Sequence, residues 1–509
     1  MTYRDQAATS LLHHLIDEAA RRWPQRTAVS TNDESLTHGE VAAASLRAAE
    51  WLRGLGVRRG DRVMMVGPST VRVPVLLYAA SRVGAPFSLL HQQTRGRALI
   101  HVLDDAEPTL LVADSQEALA LAAERGIRAV HVDQADEHLS PPSAAPLPPE
   151  EDVPALFGPP LPVDPMCLIY TSGTTSAPKA VVSTHQQALF AVRAIRTALD
   201  YRLEDIVYCP LPLSFDYGMY QLFLGALSGA RVHLGLPTEV GPTLLRNLVG
   251  CGATVLAAVP AVAATLARLL RRSPEVTPRL RLLTNTGAAM PAETLAELRA
   301  AVPGMRVQLM FGLTECKRAA IMPPDGDLAH PGACGRALPG TEVFAVDAKG
   351  DRLPPGEVGE LVVRGPNVMA GYWRRPELTA QRFPLRDGLF PQLCTGDHGW
   401  LDEEGYIHFV GRLDDLYKER GFRVSATEVE AAARRVAGVE QAAVLPPAGS
   451  RPALLAVVGE VVPQDVLTAM REEIEEFKIP RRCVVLEELP LTRNGKVDRD
   501  LLLAEVTRV

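Results

Sequence analysis

Leu12, Leu15, Ile16, Ala19 and Ala20 recur at the three- and four-residue spacing of one helix face, which predicts an amphipathic helix ending before Trp23. Short apolar runs follow at 63–66 and 110–113, separated by Ala-rich stretches. Strand-length runs alternating with helices predict an α/β fold with mostly parallel strands. The Pro-rich tract 141–165 is expected to be a surface connection, because proline brings no donor to a sheet. A strand-like run at 166–170 then leads into a Gly/Ser/Thr segment, and a second α/β stretch runs to about Gly335. Runs at 357–364 and 406–410 predict strands of a smaller β-rich unit.

Beyond Gly411 the pattern changes. Ser425 with Glu428 is a capping-box signal for a helix through about Arg435. A strand-like 453–458, an acidic helix near 465–477 and a strand-like 483–486 follow. The expected architecture is a large α/β N-terminal domain, 1–411, carrying a small β-rich subdomain, and then a small mobile α+β C-terminal domain, 412–509.

Composition narrows the class. The 509 residues are 47% hydrophobic and 22% charged, which excludes a disordered or fibrous chain. A formal charge of −7 without a basic run argues against nucleic acid or an anionic membrane as partner. No apolar stretch reaches the ~20 residues of a membrane helix; the nearest, 73–80, lies between Arg72 and Arg82. The N-terminus lacks the apolar core of a secretory signal. Seven scattered cysteines without metal-ligand spacing fit reduced thiols in a cytoplasmic protein with no structural zinc.

The strongest local signal is Thr171-Ser-Gly-Thr-Thr-Ser-Ala-Pro-Lys179 directly after a strand. Small hydroxyl and Gly residues let backbone amides approach an oligophosphate, and a lysine adds a point charge. It is not the P-loop of kinases, which ends in Gly-Lys-Ser/Thr. Read alone, the segment is either a phosphate loop or a plain polar loop. Further segments follow in order: Phe311-Gly-Leu-Thr-Glu-Cys-Lys-Arg318, Cys394-Thr-Gly-Asp-His-Gly-Trp400, Gly411-Arg-Leu-Asp-Asp-Leu-Tyr-Lys418, Gly421-Phe-Arg-Val-Ser-Ala-Thr-Glu428 and Pro490-Leu-Thr-Arg-Asn-Gly-Lys-Val-Asp498. In this order and spacing they closely resemble the AMP-forming adenylating superfamily of acyl-CoA synthetases, luciferases and peptide-synthetase adenylation domains.

The resemblance implies the following roles. Thr171, Ser172, Gly173, Thr174, Thr175 and Lys179 hold the ATP β,γ-phosphates. Gly287 and Phe311, with Gly312 beside them, form the adenine pocket, where a flat ring stacks on an aromatic face. Thr314 contacts phosphate and Glu315 ligates Mg2+. Asp397 takes the ribose hydroxyls, with Arg412 alongside. Lys496 bridges the substrate carboxylate and the ATP phosphates during adenylation. Asp414 is the hinge of the C-terminal domain, and Gly421 lines the pantetheine tunnel. No protein nucleophile is required, since the substrate carboxylate itself attacks the α-phosphate. His185 is either a gate to the pocket or a locally satisfied histidine.

The acid pocket is expected at Asp216, Tyr217, Tyr220, Ala257, Thr284, Thr286, Met310, Arg318 and Ala319, by spacing from the motifs. Amino-acid-activating members carry an aspartate at the place of Asp216, which holds the substrate ammonium. The alternative for Asp216 is a helix cap, and for Arg318 a surface or ribose-side ion pair. The segment from Gly421 to Glu428 looks more like the acyl-CoA synthetase version, so the sequence is a hybrid. A polar pocket points to a small amino acid or polar acid. The thiol acceptor is expected to be the phosphopantetheine of a separate carrier protein, the alternative being free CoA; no Arg/Lys cluster suited to the 3′-phosphate of CoA stands out. An ATP-dependent amide synthetase and a non-catalytic adenylate-binding protein are two further readings. Retention of Lys179, Glu315, Asp397 and Lys496 argues against the second.

Overall fold

Six strands of the first sheet run parallel, in the spatial order Arg306–Phe311, Leu282–Asn285, Val255–Ala258, Ile206–Cys209, Arg231–Leu234, Thr27–Ser30. Short antiparallel strands close both edges. The computed structural model describes residues 10–141, 158–171, 178–386, 390–412, 416–419, 422–448, 451–474, 476–492 and 496–507. Most of the Pro-rich tract, residues Ser172, Gly173, Thr174 and Thr175 of the polar loop, Asp414 and Gly421 lie outside the described residues.

A second sheet of seven strands places Lys179–Thr184 and Pro165–Thr171 beside the parallel set Phe87–His91, Val63–Gly67, Leu110–Ala113, Arg128–His131. Its far edge is the two-residue strand Gly371–Tyr372, antiparallel to Lys179–Thr184. Central strands such as Val63–Gly67 and Leu110–Ala113 are buried throughout, as parallel strands covered on both faces must be. Helices Arg72–Val83 and Asp216–Ser228 are buried on nearly every face between the layers.

A smaller antiparallel sheet follows, built on the long strand Phe390–Leu401 with Gly359–Arg364 and Ile407–Arg412 on its two sides. The smaller C-terminal domain comprises the hairpin Leu416–Glu419 and Phe422–Ser425, the helix Ala426–Arg435, and the mixed sheet Val439–Leu445, Leu454–Gly459, Arg482–Leu486. Tyr417 and the buried residues after it form apolar clusters of their own, one around Val429, Ala433 and Leu455.

Two local expectations need correction. Ser425 does accept the Glu428 amide, but the glutamate side chain does not return to the cap; it pairs with Lys478 at 2.6 Å. The acidic helix near 465–477 is shorter than its pattern suggests. It ends as Pro463–Ala469 and gives way to separate 3-10 turns at Met470–Glu472 and Glu476–Lys478. Glu472, Glu473, Glu475 and Glu476 crowd like charges at one, three and four positions, and this repulsion works against a continued helix.

Several histidines are buried within the large domain. Burial holds His38, His185 and His233 near a pKa of about 4, against 6.5 when exposed. The unfolded chain therefore binds more protons than the folded one between pH 6.5 and about 4, and stability falls as pH falls through that window. Each histidine contributes at most about 1.4 kcal/mol per pH unit. The thermal midpoint is expected to drop on moving from pH 7.5 to 5.5, a range in which carboxylates contribute little. An unchanged or higher midpoint at pH 5.5 would show that these rings are protonated in the fold.

Candidate active site

The two sheets bring the chemistry-bearing segments together at the C-terminal ends of the first sheet's parallel strands, where open α/β sheets leave a crevice. Ala257, Thr284 and Gln308 stand in register on three neighbouring strands. Gly287 follows its strand with φ +91°, a conformation that favours glycine. Phe311 ends the strand Arg306–Phe311 and faces Phe409 with ring centroids 6.1 Å apart. Asp397 is buried in the small sheet, its amide bonded to Thr395 Oγ1, and stands opposite Arg412 across the strand pair.

Asp216 opens the buried helix Asp216–Ser228, but the N-cap position is Phe215 and no side chain caps it. The cap alternative for Asp216 is thereby set aside. Its carboxylate points inward, 3% exposed, and Arg318 Nη1 lies 3.9 Å from its Oδ2. That is an ion pair, too long for a hydrogen bond, so both groups keep capacity for a third. Arg318 is therefore a buried partner of Asp216 and not a surface residue. Its guanidinium sits 4.7 Å from the Tyr217 ring, and Tyr217 Oη donates to the Thr284 carbonyl at 2.8 Å. Met310 and Ala319 are buried, the latter beside Cys316 in the apolar cluster under the small sheet.

Lys317 was not singled out by sequence spacing. It is 1% exposed, with Nζ 5.7 Å from the Tyr220 ring and without a hydrogen-bond partner among the described residues. Its backbone has φ +62°, which for a non-glycine residue costs free energy and is kept where the surroundings dictate it. Those surroundings are specific. Gly312 lies so close that a Cβ there would come 2.4 Å from the Lys317 carbonyl oxygen. Asn367 Nδ2 donates to the carbonyls of Cys316 and Arg318, bracing the turn on both sides of the lysine. In sequence it shows only as a Lys-Arg pair between Thr-Glu-Cys and the apolar run 319–322.

Arg318 Nε, Tyr220 Oη and Thr286 Oγ1 are likewise buried without a partner among the described residues. Buried donors are nearly always satisfied, and each one left alone costs about 1–3 kcal/mol, more when charged. The buried Asp216, Lys317 and Arg318 together carry one net positive charge. His185 behaves differently. It is fully buried, and its Nδ1 accepts the Leu12 amide at 3.2 Å, tying the N-terminal helix to the second sheet. Its burial holds the ring neutral, as that bond requires.

Thr314 and Glu315 lie three and four residues beyond the strand end at Phe311. Glu315 is 7% exposed and accepts a 2.7 Å hydrogen bond from Tyr372 Oη. Burial and the neighbouring Glu315 charge push the Tyr372 hydroxyl's pKa up, so it remains a donor. Lys179, at the start of its strand, places Nζ 4.1 Å from the Tyr372 ring centroid. Among the described residues there is no group of three or more His, Cys, Asp or Glu side chains suited to one metal. A lone carboxylate fits Mg2+, which is commonly held by one or two carboxylates together with substrate phosphates. The exposed Lys496 lies in the C-terminal turn closed by the Leu491–Val497 bridge, where the Thr492 amide donates to its carbonyl at 2.6 Å. A surface cavity of about 650 Å³, lined by Leu55, Glu107 and Arg128 among others, touches none of these groups.

Lys179 beside the Tyr372 ring, the lone buried carboxylate of Glu315 and the buried Asp216–Arg318 pair fit an ATP-dependent enzyme that activates carboxylic acids as adenylates. The chain belongs to the AMP-binding enzyme family: the family model matches residues 16–373, and the model of the AMP-binding enzyme C-terminal domain matches 428–496. It is an AMP-forming acid–thiol ligase. It is 31% identical to a feruloyl-CoA synthase of Amycolatopsis sp, covering 94% of this chain and 95% of that protein. The structure of VinN in complex with L-aspartate is 36% identical, with a TM-score of 0.70 over 79% of this chain and 98% of that one. O-succinylbenzoate coenzyme A synthetase from Bacillus subtilis, in complex with ATP and magnesium ion, is 26% identical, with a TM-score of 0.82 over 96% and 99%. No helix among the described residues is long and apolar enough to cross a membrane.

Proposed function

We propose that the enzyme activates an amino dicarboxylic acid, with aspartate as the reference compound, and passes the acyl group to the phosphopantetheine thiol of a separate carrier protein. The carrying observation is the pocket's charge: Lys317 and Arg318 around Asp216, all three at most 4% exposed. Asp216 would hold the substrate ammonium, and the two cations its spare carboxylate. An amino dicarboxylate has net charge −1 at neutral pH and so cancels the pocket's +1. A monocarboxylic acid would leave Lys317 buried and unpaired, at several kcal/mol. That VinN binds L-aspartate supports the reading.

In the first half-reaction the free carboxylate's oxygen attacks the α-phosphorus of ATP. The α–β phosphoanhydride P–O bond breaks, and pyrophosphate leaves with the electron pair. In this reading Lys179 and the loop from Thr171 to Thr175 hold the outgoing phosphates, Thr314 and Glu315 sit beside the α-phosphate, and Asp397 and Arg412 fix the ribose. Phe311, Gly312 and Gly287 form the adenine wall. Bound Mg2+, held by Glu315, supplies charge neutralisation at the phosphates. Lys496 stabilises the pentacoordinate phosphorus once the domain from residue 412 onward has turned about Asp414. In the second half-reaction a thiolate entering past Gly421 attacks the acyl carbon and AMP leaves.

Incubation with ATP, Mg2+ and L-aspartate, with hydroxylamine as trap, is expected to yield aspartyl hydroxamate and AMP. With phosphopantetheinylated carrier protein in place of the trap, mass spectrometry should find the carrier heavier by one aspartyl group. The likeness to feruloyl-CoA synthase favours a second reading, with free CoA as acceptor. Aspartyl-CoA formed as fast as the carrier thioester at equal thiol concentration would decide for it.

A further inference from the structure

We infer that Tyr372 is a positioning residue for the metal–nucleotide site, holding Glu315 by its hydroxyl and Lys179 by its ring in one fixed arrangement. The hydroxyl donates to Glu315 Oε1 at 2.7 Å, and the lysine Nζ lies 4.1 Å from the ring centroid. A cation over an aromatic face is attracted by the ring quadrupole. One side chain thus spans two residues 136 positions apart, Lys179 on a strand of the second sheet and Glu315 in the turn that follows a strand of the first.

The fold fixes Tyr372 from several directions. In the antiparallel pair Tyr372 stands opposite Val181. Lys179 and Val181 share a face of their strand, so Lys179 is the diagonal neighbour that a large ring can reach. The Tyr372 amide donates to Thr379 Oγ1 at 3.0 Å, and Phe383 meets the ring edge-on at 5.5 Å. Gly371, at φ +124°, is required: a Cβ there would come 2.4 Å from Thr379 Cγ2. From the other side, the Met369 amide donates to the Glu315 carbonyl at 2.8 Å, so the approach to Tyr372 also pins the Glu315 backbone.

The chemical consequence lies in order before ligand arrives. Mg2+ demands near-octahedral geometry, and a carboxylate held at one oxygen presents the other in a set direction. A lysine parked on a ring loses part of its rotamer freedom in advance, which lowers the cost of ordering it on phosphate. The inference holds whichever acid is activated, because it concerns ATP and metal alone. A failure of the aspartate assignment is therefore told apart from a failure here.

The test is calorimetric binding of ATP to the full chain with no acid present, in Mg2+ and again in EDTA. Tyr372→Phe keeps the ring under Lys179 and deletes the hydroxyl. Its Kd for ATP in Mg2+ is expected to rise roughly 10- to 100-fold, as for other groups that orient a metal ligand, with the Kd in EDTA unchanged. Mn2+ binding to the ATP complex, followed by electron paramagnetic resonance, should weaken by the same factor. Tyr372→Leu loses both contacts and should weaken ATP binding with and without metal. Parent-like ATP binding by Tyr372→Phe in Mg2+, or an equal loss with and without metal, overturns the assignment. If the Leu variant fails to fold, the Phe comparison alone decides.

Discussion

Replacing Lys317 with methionine is expected to weaken aspartate activation sharply while raising the thermal midpoint of the free enzyme. Methionine matches the length of the lysine stem but carries no charge. Without substrate, Lys317 Nζ is buried with no hydrogen-bond partner among the described residues, so the charge is a liability to the fold. With substrate, the same charge meets the spare carboxylate. Truncating one partner of a buried, hydrogen-bonded charge pair costs about 2–5 kcal/mol, or roughly 30- to 5,000-fold in kcat/KM. Opposite signs for stability and activity are the signature of a residue kept for function. Steady-state exchange kinetics and a thermal melt check both. A kcat/KM for aspartate within about threefold of the parent, against that expected range, would remove Lys317 from the substrate site.

The second large effect is expected at the other end of the chain. Lys496→Ala should slow adenylate formation by about 10²- to 10³-fold, the usual loss when one group stabilising transition-state charge is removed. Thioester formation from supplied aspartyl adenylate should stay close to the parent rate, because that step breaks the acyl C–O bond and leaves phosphorus four-coordinate throughout. Pyrophosphate exchange reads the first step, and consumption of synthetic adenylate with thiol reads the second. An equal loss in both would mean that Lys496 acts in folding or domain placement and not at the phosphorus.

The framework of this site was legible because its motifs are local. Phe311, Thr314 and Glu315 occupy neighbouring positions at one strand end, so sequence order and spatial order coincide there. The alternating pattern likewise revealed the parallel strands, since strands buried on both faces read as unbroken apolar runs. Asp216 could be read as an anchor or as a cap, and only the structure, with Phe215 at the cap position and the carboxylate buried, removes the cap reading. Lys317 was out of reach for a related reason. Its direction is set by a positive φ that depends on Gly312 and on Asn367, the latter 50 positions away, and a buried lysine looks like a surface one in sequence. Tyr372 escaped because its two contacts lie 57 and 193 positions distant. The broken acidic helix failed for a different cause: charge repulsion overrode a helix-forming composition.

The measurement that bears most directly on the central claim is ATP–pyrophosphate exchange with three matched acids: L-aspartate, L-alanine without the spare carboxylate, and succinate without the ammonium. The proposed pocket predicts fast exchange with aspartate and a loss of at least about tenfold with either truncated acid, since alanine leaves Lys317 unpaired and succinate brings no ammonium to Asp216. Exchange with alanine or succinate equal to or faster than with aspartate would contradict the assignment of Asp216, Lys317 and Arg318 as the substrate's partners.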